Sequence, residues 1–304
     1  MRRPRYDAVV TDVARFPYMG FGATVSWVHM AQVAADAVDA PLLFVNPAEW
    51  PFGGRRPECA LDRFLEVSVA DPGELAGRRC APFQPGLGDQ PEMRRWGYLD
   101  ELDSPYCAFG YRDGFDDLEE YRRSIMARGY RPTEFAREEV ARRLGFLPSR
   151  YAAWHVRRGD KVRGPNKEDD VVSLDSYVEA TARLLADHPD PPRKLVICTD
   201  SPDVLDEAHA SEPLRDLGLE VVYDPEEKRW DGYCDLHRDG QVESTDEMLE
   251  EIVTAQKVVE ILRGADVLVG SNSSYLFRVP AMLVTHPRVV SLSENRVYRK
   301  YFPI

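Results

Sequence analysis

Cysteine is scarce in this chain and unpatterned. Among 304 residues there are five, Cys59, Cys80, Cys107, Cys198 and Cys234. An odd, scattered set without a C-x-x-C pair indicates neither a disulfide framework nor a thiolate zinc cage, and it fits a reducing compartment. Long apolar runs are missing too. No stretch reaches the roughly 18 residues that read as a membrane span. The opening Met1-Arg2-Arg3-Pro4-Arg5-Tyr6-Asp7 has no apolar segment behind its basic residues, so neither export nor anchoring is expected and a cytoplasmic location is. Positive charge is in deficit, 39 Lys and Arg against 52 Asp and Glu, net −13. That field repels a polyanion and argues against nucleic acid or an anionic membrane as partner, while a local basic pocket can still hold one nucleotide. The chain also lacks a Walker A loop, a complete G-x-G-x-x-G, internal repeats and any Asp-x-Asp pair.

What is present is alternation. Hydrophobic residues make up 43% of the chain, enough for two modest cores. Residues 7–13 read as a strand, Gly20-Phe21-Gly22 as a turn, 23–38 as a helix and 41–45 as a second strand, which is a βαβ unit. Residues 47–103 are rich in Pro, Gly and Arg and give weak periodicity. Two amphipathic helices are expected over 116–128 and 133–144, and Gly145-Phe146-Leu147-Pro148-Ser149 breaks the pattern. The domain boundary is placed there, giving 1–148 and 149–304. In the second half, strands are expected at 151–156, 194–199, 219–223, 266–269 and 288–292. Helices separate them, one capped by Ser173 and one opened by a Ser244/Glu247 capping box. Such alternation implies parallel sheets with helices on both faces, an α/β fold.

Polar groups gather at three strand ends in this half. His155-Val156-Arg157-Arg158-Gly159-Asp160-Lys161 closes the 151–156 strand, Thr199-Asp200 closes the next, and Gly270-Ser271-Asn272-Ser273-Ser274 closes the 266–269 strand and opens a helix. Ligands of open α/β sheets bind outside the carboxyl ends of strands, and an Arg fork there can grip a phosphate. A Gly/Ser turn before a helix offers N–H groups at the positive end of the dipole. Each feature has a plainer reading. Arg-Arg pairs recur in this chain, and Ser/Asn turns are ordinary N-caps.

Together these residues resemble the α-1,6-fucosyltransferase group, with its nodulation fucosyltransferases, and more distantly the protein O-fucosyltransferases. The resemblance rests on H-V-R-R-x-D-K at 155–161, C-T-D-S-P at 198–202 and A-D-V-L-V-G-S-N-S-S-Y-L-F-R at 265–278, with an echo in G-F-G at 20–22. It implies a GT-B-like protein of two Rossmann-type domains facing a cleft, the N-terminal one on the acceptor side and the C-terminal one binding the donor. It also implies a GDP-sugar such as GDP-fucose as donor, inversion at the anomeric carbon, and no metal or other cofactor. Arg157 would contact the β-phosphate and His155 the nucleotide, while Ser273, Ser274 and Tyr275 line the phosphate side. Arg158, Gly20 and Gly22 join the donor-binding set, Asp200 falls at the acidic position after the next strand, and Asp160 and Lys161 stand with Arg157 in the catalytic motif.

Two departures follow from the same comparison. The position of the family's general base falls on Pro165, in a loop about three residues longer. Glu168 is the candidate base, with Asp169 and Asp170 as alternatives. At Val258 the family places an acid against the nucleotide base, and Glu260 is the neighbouring candidate. On its residue type Asp160 reads as an orienting partner for Arg157 or Arg158 rather than a catalyst, Arg278 as a solvated side chain or an inward ion-pair partner, and His29 as packing. Trp230 and Tyr233 read as sugar-stacking or local packing, and Cys234-Asp235-Leu236-His237 as a weak metal-like cluster. The expected activity is metal-independent inverting transfer of a sugar from a GDP-sugar to a hydroxyl of a small or lipid-linked glycoside. The alternatives are a nucleotide- or sugar-binding protein without transfer activity, and a nucleotide-sugar hydrolase.

Overall fold

The computed structural model describes residues 6–16, 20–83, 118–159, 162, 167, 169–229, 244–271, 273–284 and 288–292. The chain divides into two compact units, Met1–Glu139 with Ser244–Val253, and Val140–Glu243 with Thr254–Ile304.

The first unit holds a parallel three-stranded sheet in the order β2-β1-β3, with β1 Ala8–Asp12, β2 Leu42–Val45 and β3 Cys80–Phe83. β3 falls inside the stretch that gives no periodic signal, because four residues including Pro82 cannot display alternation. Helix α1, Phe21–Val38, starts two residues earlier than expected. Gly20 is its N-cap, and Gly22 lies in its first turn rather than in a turn before it. The reason is Phe21, which is fully buried and lies edge-on to Trp50 and Tyr130 with ring centroids 6.3 and 6.4 Å away. Burying that ring favours starting the helix at the aromatic residue. The short α2, Leu61–Phe64, adds Phe64 to this aromatic core. Helix α3, Leu118–Gly129, is tied to α1 by Arg128, which donates to both carboxylate oxygens of Asp36. His29 is wholly buried in α1, a packing position as expected. Helix α4 spans Glu134–Arg143.

The second unit is a parallel five-stranded sheet in the order β6-β5-β4-β7-β8. Its strands are β4 Ala152–Val156, β5 Lys194–Thr199, β6 Glu220–Val222, β7 Val267–Gly270 and β8 Val289–Ser291. Interleaved with them are α5 Leu174–Ala186, α6 Asp203–Ala210, α7 Glu212–Asp216, α8 Thr245–Arg263, of which the part up to Val253 belongs to the first unit, and α9 Tyr275–Leu283. The continuous apolar runs at 151–156 and 194–199 are explained by burial on both faces. Ala152, Trp154, Val156, Leu195, Ile197, Val267 and Val269 pack with α5, α6 and α7 on one face. Tyr151, Ala153, Val196, Cys198 and Leu268 pack with Val258, Ile261 and Leu262 of α8 and with Phe277 and Ala281 of α9 on the other. No helix among the described residues is long and apolar enough to cross a membrane.

This order puts β4 beside β7 while the chain proceeds from β4 outward to β5 and β6, so the order in which strands are added reverses between β4 and β7. Such switch points open the ligand crevice of doubly wound sheets. Gly270 at the end of β7 is required there by a close approach. A Cβ on it would lie 2.3 Å from Cδ2 of Phe277, whose ring is fully buried. Gly270→Ala therefore has to push a core ring aside, and a loss of about 1–3 kcal/mol is expected, the range for overpacking. A urea titration of the intact protein measures it, and an unchanged midpoint would show that the ring moves freely.

Candidate functional site

The carboxyl ends of β4, β5 and β7 converge at this switch point, and each delivers polar atoms. His155 lies on the face shared with Phe277, their ring centroids 6.4 Å apart, and is 6% exposed. Its carbonyl accepts from the Tyr177 hydroxyl at 3.0 Å, which fixes the backbone. Burial, followed by the nearby Arg157 charge, pushes its pKa from 6.5 down to about 3. The ring is therefore a neutral imidazole near pH 7, with one donor and one acceptor. Its Nδ1 is buried and has no hydrogen-bond partner among the described residues.

Asp200 organises the turn that follows β4. One oxygen accepts the Arg158 N–H at 2.8 Å and the other the Gly159 N–H at 3.1 Å. Arg157 Nε stands 3.8 Å from the same carboxylate. Burial raises the Asp200 pKa, opposed by Arg157 and the two N–H groups. Sequence reading places Asp200 among the donor contacts and gives Asp160 the task of orienting an arginine. In the structure the two Asp200 oxygens accept N–H groups of its own chain and Arg157 stands beside them, while Asp160 lies outside the described residues. Arg158, also expected to grip the donor, turns inward. It is 4% exposed, donates to the Val172 carbonyl and lies 3.4 Å from Glu207. It braces the loop from behind and leaves Arg157, 19% exposed at its side chain, as the arginine nearer solvent.

The β7–α9 turn supplies the third part. The Ser271 and Ser273 hydroxyls are 2.7 Å apart, and Ser271 Oγ donates to Asp169 Oδ2 at 3.3 Å. Ser274 caps α9 with extended backbone but makes no side-chain capping bond. Its Oγ is buried and without a hydrogen-bond partner among the described residues, as is Ser201 Oγ just beyond β5. Buried hydroxyls normally find partners. His155 Nδ1, Ser201 Oγ and Ser274 Oγ, three buried polar atoms without a partner among the described residues, belong to residues at neighbouring strand ends, which makes these ends a candidate place for a polar ligand. Ser201 and Ser271 fall inside the 198–202 and 270–274 motifs but outside the donor contacts expected from the sequence. Their only signal was a small polar residue at the carboxyl end of an apolar strand.

Other expected residues fall elsewhere. Asp160, Lys161, Glu168, Trp230, Tyr233 and the 234–237 cluster lie outside the described residues. Asp170 is exposed and paired with Lys167 at 2.5 Å, whereas Asp169 reaches the serine turn. Gly20 and Gly22 belong to the first unit, at the start of α1. Val258 is a core residue, and Glu260 lies 3.7 Å from Arg263. Beside Val258, the buried Lys257 Nζ is 2.7 Å from both Asp224 and Glu227. Among the described residues no group of three His, Cys, Asp or Glu side chains is arranged to hold a metal ion.

No protein-family model matches the chain, and neither does any curated protein. Among solved structures, a NodZ alpha-1,6-fucosyltransferase soaked with GDP-fucose is similar with a TM-score of 0.52 at 18% identity, covering 93% of this chain and 94% of that one. The fucosyltransferase NodZ from Bradyrhizobium is similar with a TM-score of 0.51 at 17% identity, covering 94% and 96%. The likeness is one of fold, and the fold is α/β and GT-B-like, as the sequence resemblance implies.

The buried His155 makes a prediction about acid. Its folded-state pKa lies below its unfolded one, so between 6.5 and about 3 the unfolded chain binds the extra proton and stability falls as pH falls. The slope is about 1.4 kcal/mol per pH unit for one such proton. His155→Gln removes that contribution, so the loss in unfolding free energy between about pH 7 and pH 5 should be smaller in the variant than in the wild type. Parallel curves would show that His155 titrates normally.

Proposed function

We propose that the protein is a metal-independent, inverting glycosyltransferase that uses GDP-fucose or a related GDP-sugar as donor. The second unit binds the donor and the first serves the acceptor. The observation that carries this reading is the set of three orphaned polar atoms at the β4, β5 and β7 ends, with Arg157 just after β4 and the N-terminus of α9 after β7. A diphosphate answers all of it. Its oxygens accept from hydroxyls, from an arginine fork and from the first N–H groups of a helix. His155, neutral and with a buried Nδ1 that has no partner among the described residues, offers a donor or an acceptor to the nucleotide.

In the proposed reaction an acceptor hydroxyl attacks the anomeric carbon from the face opposite the diphosphate. A new C–O bond forms, the bond to the β-phosphate oxygen breaks, GDP leaves with the bonding pair, and a carboxylate takes the hydroxyl proton. Arg157 and the α9 dipole stabilise the charge that grows on the leaving group, the part a divalent ion plays elsewhere. Asp160 and Lys161 complete the motif beside Arg157. The base lies in the loop after β4, with Glu168 as first candidate. Asp169 is the alternative that the Ser271 contact favours. The proposed acceptor is a small or lipid-linked glycoside.

Arg157→Ala should lower turnover by about 10²-fold or more, the effect of losing one preorganised donor. Lys should restore little of it because it lacks the fork. The assay is release of GDP from GDP-fucose with and without candidate glycosides. Release that needs the acceptor supports transfer, release in water alone indicates a hydrolase, and binding without release indicates the binding protein. Activity should also persist in excess EDTA. Loss of activity that manganese or magnesium restores would place the enzyme in a different mechanistic class.

A further inference from the structure

Arg278 lies in α9, four residues after Ser274, and is 2% exposed. Its guanidinium remains charged in a protein, and burying a charge is costly unless hydrogen bonds and neighbouring charge offset it. Nη2 donates to the Ser273 carbonyl at 3.3 Å, and the guanidinium carbon lies 4.1 Å from the centre of the Tyr275 ring. The peptide between Ser273 and Ser274 is thereby held from both sides, its C=O by Arg278 and its N–H by the Ser271 carbonyl at 3.1 Å. A peptide group is planar. Fixing both ends sets where the Ser274 Cα stands, and with it the orphaned Oγ.

We propose that Arg278 is a positioning residue for anion binding at this turn. It sets the Ser274 hydroxyl and the Tyr275 ring, and it keeps a permanent positive charge one helical turn behind the N-terminus of α9. The inference rests on the diphosphate reading above and makes a finer statement. Arg278 serves the diphosphate and not the nucleoside, although it need touch neither. Its effect passes through the Ser273–Ser274 peptide and through the field of the helix end.

The test is competition binding of GDP, guanosine and inorganic pyrophosphate to the intact protein. It compares wild type with Arg278→Gln, Arg278→Lys, Ser274→Ala and the Arg278→Gln/Ser274→Ala double variant. Arg278→Gln should weaken GDP and pyrophosphate by about tenfold or more, as for loss of a charged hydrogen bond, and leave guanosine nearly unchanged. Lys should recover part of the loss, because it restores the charge without the fork. Since the arginine acts through Ser274, the double variant should bind GDP about as weakly as Arg278→Gln alone instead of showing summed losses. Unchanged GDP binding in a cooperatively melting Arg278→Gln overturns the inference, and so does an equal loss for GDP and guanosine, which marks a merely structural arginine. If Arg278→Gln does not fold, Arg278→Lys decides by the same GDP-to-guanosine ratio. Wild-type protein that binds neither GDP nor pyrophosphate overturns the donor reading itself, and the inference with it.

Discussion

One carboxylate accepting two consecutive backbone N–H groups holds the proposed site together. Asp200 leaves the end of β5 and receives Arg158 and Gly159 from the end of β4, with Arg157 beside it. The two strands are already in register, His155 opposite Cys198 and Val156 opposite Thr199. Asp200 extends that order one residue past the sheet, into backbone that would otherwise be an unsupported loop. Charge-assisted bonds of this kind are stronger than neutral ones. They fix the turn before any ligand arrives, so less order remains to be imposed on binding. Arg158, braced on Val172 and Glu207, secures the same turn from behind.

The sheet's two-residue period decides which side chains can take part. On β4, Ala152, Trp154 and Val156 face α5, while Tyr151 and Ala153 face α8 and α9. His155 falls on the second face because 155 has the parity of 153, and there it meets Phe277. Gly270 lets that ring approach, and the ring in turn belongs to the helix that Ser274 caps. A single packing contact thus couples the core to the site, which is why one methyl group at Gly270 should be felt in both.

Much of this was legible in the sequence where the signal was local. The strands at 151–156 and 194–199, the Ser173 cap and the Ser244/Glu247 capping box appear in the structure as Ala152–Val156, Lys194–Thr199 and two capped helices. The convergence of three polar strand ends follows from alternation of strands and helices alone. What escaped was what depends on distant partners. β3 is four residues long and exists through pairing with β1. The helix start at Phe21 depends on Trp50 and Tyr130. The division of labour between Arg157 and Arg158, adjacent and alike in sequence, is set by Asp200 some forty positions away, and nothing local distinguishes them. Nothing local marks Arg278 as inward either, since its burial depends on how α9 packs.

The central claim is that the carboxyl ends of β4 and β7 hold a nucleoside diphosphate. A crystal structure of the protein grown with GDP tests it most directly. The diphosphate is expected over the β4–β7 switch point, within hydrogen-bond reach of Ser274 Oγ, the first N–H groups of α9 and Arg157. Density for GDP elsewhere, or none at saturating nucleotide, would contradict the account.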